Sequence, residues 1–157
     1  MSVRATLERT PTIRWLGGPE DLAGMTLLLV EDDDDCREVL TASFEAFGAT
    51  VLSVASAREA VAAVRCVVPD LVVTDLSMPG EDGCWLAREI SAMLSPRGVR
   101  VPIIACSGMD IGEAARSGKL AFFDGYISKP YDPAGMSVLV AELAETGTSP
   151  TPVLRSA

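Results

Sequence analysis

The sequence contains no histidine. That absence removes imidazole-based acid–base catalysis and most zinc sites from consideration. Basic residues are also scarce, 13 Lys and Arg against 22 Asp and Glu, for a formal net charge of −9. Direct nucleic-acid binding depends on clustered cations that neutralise phosphates, so this balance argues against it. No apolar run approaches the ~20 residues that a membrane span needs. The stretch from Met1 to Pro19 carries charges and no continuous apolar segment, so it does not read as a signal peptide, and a cytoplasmic location is expected. There is no G-x-x-x-x-G-K-[ST] and no G-x-G-x-x-G, which excludes the common nucleotide-binding loops. Cys36, Cys66, Cys84 and Cys106 are far apart, without a C-x-x-C, and each falls in an apolar stretch; they are expected to be buried, reduced thiols.

What is present is a strict alternation. Thr26 to Val30 is a short apolar run that stops at acidic residues, as in a strand buried on both faces. Cys36, Val39, Leu40, Ser43, Phe44 and Phe47 then recur at helical spacing, and Gly48 ends the helix. Thr50 to Val54, interrupted by Ser53, suits an edge strand. Ser56 and Glu59 form a capping box ahead of a helix with Ala60, Val61, Val64 and Val67 on one face. Leu71 to Thr74 is a third strand ending at Asp75, followed by the loop Ser77-Met78-Pro79-Gly80. Leu86, Ile90, Met93 and Leu94 mark a third helix, and Val101 to Cys106 a fourth strand, with Pro102 near its start. Asp110 and Glu113 open a short, Ala-rich fourth helix, and Gly125 to Ser128 is a fifth strand. Asp132 as N-cap and Pro133 at the first helical position start a fifth helix with Met136, Leu139, Val140 and Leu143 on its apolar stripe.

Five β–α units in succession predict an α/β domain, a doubly wound parallel sheet with helices on both faces and right-handed crossovers. We expect an N-terminal extension over residues 1–24, a folded domain over 25–145 and a flexible tail over 146–157. Trp15 and Leu16 stand out in the extension as residues that would dock on the domain or on a partner.

Polar residues gather where these strands end. The first strand runs into Glu31-Asp32-Asp33, the third into Asp75, the fourth into Ser107 and the fifth into Lys129-Pro130. Open α/β sheets bind ligands beyond the carboxyl ends of their strands. Crowded carboxylates repel, and a hard divalent cation relieves them; all-oxygen ligation suits Mg²⁺. With such a cation, Lys129 and the Ser107 hydroxyl can hold an incoming phosphoryl group, and one carboxylate can take it as an acyl phosphate. Asp33 also reads as a helix cap, and Asp34 and Asp35 as solvated acids.

Four segments carry a resemblance: Leu28-Leu29-Val30-Glu31-Asp32-Asp33, Asp75-Leu76-Ser77-Met78-Pro79-Gly80 with Asp82-Gly83, Pro102-Ile103-Ile104-Ala105-Cys106-Ser107-Gly108, and Asp124-Gly125-Tyr126-Ile127-Ser128-Lys129-Pro130. In this order, each at a strand end, they resemble the receiver domain of two-component response regulators, from about Thr26 to Leu143. The resemblance implies a flavodoxin-like sheet of five strands in the order 2-1-3-4-5. It implies Asp75 as phosphoacceptor and Mg²⁺ held by Asp32, Asp75 and the Ser77 carbonyl, with Glu31 reaching the ion through water. Ser107 corresponds to the switch hydroxyl, Tyr126 to the switch aromatic that turns inward as Ser107 moves, and Lys129 to the family's lysine, with a cis Lys129–Pro130 bond. Glu31 departs from the commoner Asp, Phe122 stands where many receivers have Gly, and Ser77 is small and neutral at a position that tunes acyl-phosphate lifetime.

The implied function is a phosphoacceptor switch that takes phosphoryl from a histidine kinase or phosphotransfer protein and presents a surface to a downstream effector, with homodimerisation allowed. The residues after Leu143 do not read as an output domain, so a single-domain regulator or phosphorelay member is expected; Asp21 to Met25 reads equally like the linker of a hybrid histidine kinase. The expected chemistry is confined to the chain's own phosphorylation and dephosphorylation. A phosphatase of the aspartyl-phosphate type would carry a second Asp two residues after its nucleophile, and Ser77 stands there. A pseudo-receiver that binds partners without phosphorylation would lack some of the acidic, hydroxyl and lysine positions, all of which are filled.

Overall fold

The computed structural model describes residues 21–130 and 132–146, and the backbone of 153–155. Strands and helices alternate: β1 (Thr26–Val30), α1 (Asp34–Ala46), β2 (Thr50–Val54), α2 (Ala57–Cys66), β3 (Leu71–Asp75), α3 (Gly83–Leu94), β4 (Ile103–Ser107), α4 (Ile111–Arg116), β5 (Gly125–Ser128), α5 (Pro133–Thr146) and β6 (Val153–Arg155). Every strand pairing is parallel, and the sheet order is β2-β1-β3-β4-β5-β6. The expected order 2-1-3-4-5 is therefore present. Beyond it, part of the segment expected to be a flexible tail forms a sixth strand beside β5.

Period-two alternation along the central strands feeds two apolar layers. Leu28 and Val30 of β1 point into one, with Ala60, Val61 and Val64 of α2, Leu86 and Ile90 of α3 and Ala114 of α4. Leu27 and Leu29 point into the other, with Leu40 and Phe44 of α1 and Met136, Leu139, Val140 and Leu143 of α5. β3 and β4 are buried along their whole length, as strands covered on both faces must be. β2 is half-exposed at the sheet's edge.

The helix starts follow their capping residues. Asp33, Asp82 and Asp110 each accept from a backbone N–H three residues on, at 2.8, 2.8 and 2.7 Å. Asp132 does so for Gly135 at 3.3 Å. At α2 the box is displaced by one residue: Ser56 accepts from Glu59 N at 3.2 Å, but the Glu59 carboxylate takes the N–H of Ala55 rather than that of Ser56.

Several expectations about faces and boundaries are corrected. Leu22 is fully buried, and its N–H donates to the Phe47 carbonyl at 2.8 Å. Residues 21–25 form a turn packed on the domain, closed by the Met25 N–H donating to the Leu22 carbonyl at 3.0 Å. Gly48 makes that packing fit: its φ is +98°, and a Cβ there would come within 3.1 Å of Ala23 Cα. Val39 is 57% exposed, because it is rotated about 100° from the Leu40–Phe44 stripe that meets the sheet. Val67 is 48% exposed, because it has left the helix with φ −139° and the helical period no longer orients it. Cys84 and Cys106 are buried as expected, whereas Cys36 and Cys66 are exposed on the outer faces of α1 and α2. Trp15 and Leu16 lie outside the described residues. Among the described residues no helix is long and apolar enough to cross a membrane.

Burial raises the Cys106 thiol far above its ordinary range, and burial with the nearby Asp33 carboxylate raises that of Cys36 more mildly. Iodoacetamide on the native protein should therefore add two carbamidomethyl groups by intact mass, the slower one at Cys36, and four in denaturant. Rapid labelling of Cys106 in the native protein would contradict the packing of β4.

Candidate functional site

Parallel register brings four strand ends to one edge. Val30 lies beside Thr74, Asp75 beside Cys106, and Ser107 beside Ser128. The ladder continues a residue past each strand: Glu31 N–H donates to Val54 O, Leu76 N–H to Cys106 O and Lys129 N–H to Ser107 O, at 3.1, 2.8 and 2.7 Å. Glu31, Asp75, Ser107 and Lys129 are thereby fixed by backbone pairing before any side-chain contact is made.

Carboxylate oxygens of Glu31, Asp32 and Asp75 lie within 4.8 Å of one another. Glu31 and Asp75 are buried, while Asp32 faces solvent. The Lys129 ammonium lies 3.1 Å from Asp75 Oδ2 and 3.2 Å from Glu31 Oε2. Burial alone would depress the lysine, but the Asp75 and then the Glu31 carboxylates outweigh it and hold the ammonium well above its ordinary value. Glu31 is raised chiefly by burial, with repulsion from Asp75 added, against the lowering effect of the Asp33 N–H and Lys129. One ammonium thus stands against three carboxylates. This all-oxygen cluster, one member open to solvent, fits a hard divalent cation.

The remaining expected residues sit around this centre. The Ser77 N–H lies 3.3 Å from Asp75 Oδ1, and the Ser77 side chain is exposed. Ser107 is buried, and its hydroxyl accepts from the Met109 N–H at 3.1 Å. Tyr126 is fully buried, and its hydroxyl donates to the Met109 carbonyl at 2.6 Å. The inward position expected only after switching is thus the one observed. Burial raises the phenol's pKa, and the neighbouring Ser107 hydroxyl works against that rise. The Lys129–Pro130 peptide is cis, as expected. Asp33 serves as the cap of α1, and Asp34 and Asp35 are exposed in its first turn.

Three contributors were not read from the sequence. Arg37 donates to the Glu31 carbonyl at 2.8 Å and pairs with Asp34, clamping the β1–α1 turn. The only hint was a lone cation one turn into an acidic helix start. Met109 supplies both backbone partners just named, which no side-chain pattern reveals. Gly83 lets α3 begin directly against β3: a Cβ there would fall 2.6 Å from the Asp75 carbonyl oxygen and 3.1 Å from Leu76 Cα. Phe122, the departure from the family pattern, ends a short 3₁₀ turn (Lys119–Phe122), 41% exposed with the Arg88 guanidinium 5.5 Å from its ring centre.

A parallel α/β domain with carboxylates, a hydroxyl and an ammonium at the carboxyl edge of its sheet is built as a flavodoxin-like phosphoacceptor. Residues 27–141 match the response regulator receiver domain family, and the chain belongs to it. It is 32% identical over 123 residues to a 14.6 kDa protein of Leptolyngbya boryana, covering 78% of this chain and 92% of that one. It is 36% identical over 110 residues to the C4-dicarboxylate transport transcriptional regulatory protein DctD of Rhizobium meliloti, covering 69% of this chain and 23% of the regulator. A mutant form of the receiver domain of the histidine kinase CKI1 from Arabidopsis thaliana superposes with a TM-score of 0.69 at 30% identity, over 80% of this chain and 92% of that one. The protein is a receiver domain of two-component signal transduction, with a phosphoacceptor role. Receivers of this family bind Mg²⁺ at an acidic pocket and work with histidine kinases and effector proteins; Glu31, Asp32 and Asp75 form such a pocket here.

Gly83→Ala should push the β3–α3 loop away from Asp75, because backbone, not a flexible side-chain tip, stands in the way. We expect a loss of about 1–3 kcal/mol in urea unfolding, with the Asp75 and Leu76 amide shifts moving most in an NMR spectrum. Unchanged shifts there would show that α3 does not abut β3 as described.

Proposed function

We propose that Asp75 is the residue phosphorylated, and the observation that carries this is the convergence of two further carboxylates, Glu31 and Asp32, and the Lys129 ammonium on its side chain. An Asp75 carboxylate oxygen attacks the phosphorus of a phosphohistidine on a kinase or phosphotransfer protein. A P–O bond forms, the P–N bond breaks, and the histidine leaves with its electron pair. Asp75 is nearly buried but sits at the open edge of the sheet, so the acyl phosphate forms at the surface. Glu31, Asp32, Asp75 and the Ser77 carbonyl would hold Mg²⁺, which when bound supplies positive charge to the phosphoryl oxygens. Lys129 holds a further phosphoryl oxygen, orienting the group so that the attacking Asp75 oxygen and the leaving nitrogen lie in line across phosphorus. Ser107, now bonded to the Met109 N–H, turns its hydroxyl to the third oxygen.

That movement is the switch. Tyr126 is already inward, so what changes is its set of hydrogen-bond partners around Met109 and Ser107, and with it the face built by α4, β5 and α5. An effector protein, or a second copy of the chain, reads this face. The negative charge of the chain disfavours a direct nucleic-acid output. Its relatives include both transcriptional regulators and the receiver of a histidine kinase. We assign the chain a cytoplasmic place, and no turnover of other substrates: Ser77 leaves no general acid two residues after Asp75.

Acetyl phosphate with Mg²⁺ should add one phosphoryl mass to the native protein and none to Asp75→Asn, and chelation of Mg²⁺ should prevent the adduct. Equal labelling of the mutant would place the acceptor elsewhere. Lys129→Arg should retain Mg²⁺ affinity yet lose the phosphorylation-dependent shifts of Ser107 and Tyr126, because a planar guanidinium cannot replace a compact ammonium between Asp75 and Glu31. Normal shifts in that variant would contradict the role given to the lysine.

A further inference from the structure

The outer edge of β5 is covered by the chain's own C-terminal segment. β6 runs parallel to it, with Gly125 beside Val153, Tyr126 beside Leu154 and Ile127 beside Arg155. β5 is also strapped to the candidate site. Its Tyr126 hydroxyl is bonded to the Met109 carbonyl, next to Ser107. Just past its end, Lys129 donates its N–H to the Ser107 carbonyl and its ammonium to Asp75. One strand therefore reads the site on one side and carries the C-terminus on the other. An uncovered strand edge is a row of unpaired N–H and C=O groups, a template for a strand from another chain. A three-residue strand makes only a few backbone hydrogen bonds, so its docking is close to balance and a small change in β5 can tip it.

We infer that residues 153–155 are a displaceable cap on the β5 edge, seated in the resting domain and released when Asp75 is phosphorylated. This rests on the phosphoacceptor reading above. Phosphorylation draws the Ser107 hydroxyl, which neighbours the Tyr126 hydroxyl, and the Lys129 ammonium to the phosphoryl oxygens, and Tyr126 is the β5 residue that lies beside Leu154 of β6. The coupling is reciprocal: what the phosphoryl group does to the cap, the cap does to the phosphorylated state.

The test uses the full chain and its Leu154→Pro variant, in which the proline removes a ladder N–H. Hydrogen exchange of the β5 amides is measured in each, with and without beryllofluoride and Mg²⁺, and beryllofluoride binding is read separately by fluorine NMR. We expect β5 to be protected in the full chain and to exchange roughly tenfold faster with beryllofluoride bound, within the usual size of such couplings. Leu154→Pro should exchange fast in both conditions and bind beryllofluoride more tightly. Unchanged β5 exchange in the variant would show that the cap does not dock. Protection that persists with beryllofluoride bound would show a docked strand uncoupled from the site. Absence of fluorine signals for bound beryllofluoride in both proteins would overturn the phosphoacceptor reading and the coupling with it.

Discussion

The Lys129 ammonium is the contact on which the functional edge depends. It bridges Glu31, which follows β1, and Asp75, which ends β3, from a position just beyond β5, across 98 and 54 residues of sequence. Two buried carboxylates side by side repel each other, and this ammonium offsets part of that repulsion. Removing one partner from a buried ion pair typically costs about 3–5 kcal/mol, because the other charge is stranded. The same contact ties the fifth strand to the centre of the sheet, so a change in charge at Asp75 reaches Lys129, and hence β5, directly.

That bridge is deliberately insufficient. One ammonium faces two buried carboxylates and an exposed third, and Glu31 is raised chiefly by its burial, with repulsion from Asp75 added. A site fully neutralised by its own side chains would have no use for a cation or a phosphoryl group. The domain accepts a destabilised acidic corner in exchange for receptivity, as functional sites commonly do. Its stability comes instead from the two apolar layers, in which α2 and α3 cover one face of the sheet and α1 and α5 the other. The corner itself is rigidified by backbone: the Arg37 clamp on the Glu31 carbonyl, the Asp82 cap, and the close approach of Gly83 to Asp75.

β5 then connects chemistry to surface. Tyr126 has no exposed surface, yet its hydroxyl meets the backbone of Met109, one residue before the Asp110 cap of α4. α4 is a six-residue helix with one buried residue, Ala114. It is the least anchored of the helices and so the easiest for a rearrangement around Ser107 to move. The weak apolar content of that helix, visible in the sequence, thereby acquires a use.

The sequence by itself determined the alternation of strands and helices, the strand order through its family resemblance, and the residues at the strand ends. These are local properties: a run such as Leu71 to Thr74 is too short and too β-branched for anything but a strand, and an Asp-Pro pair can begin a helix but not continue one. Sequence periodicity also placed Leu40, Phe44, Leu139 and Val140 correctly. Only the tertiary structure decided how much of each helix face is covered, because that depends on what lies opposite; hence Val39, Cys36 and Cys66 are exposed although their neighbours in sequence are apolar. It alone showed that Leu22 belongs to the core, that Tyr126 is already inward, and that Val153–Arg155 pairs with β5. Backbone pairing at an edge is indifferent to side-chain pattern, so three residues in a Ser, Thr and Pro-rich tail give no local sign that a strand edge awaits them.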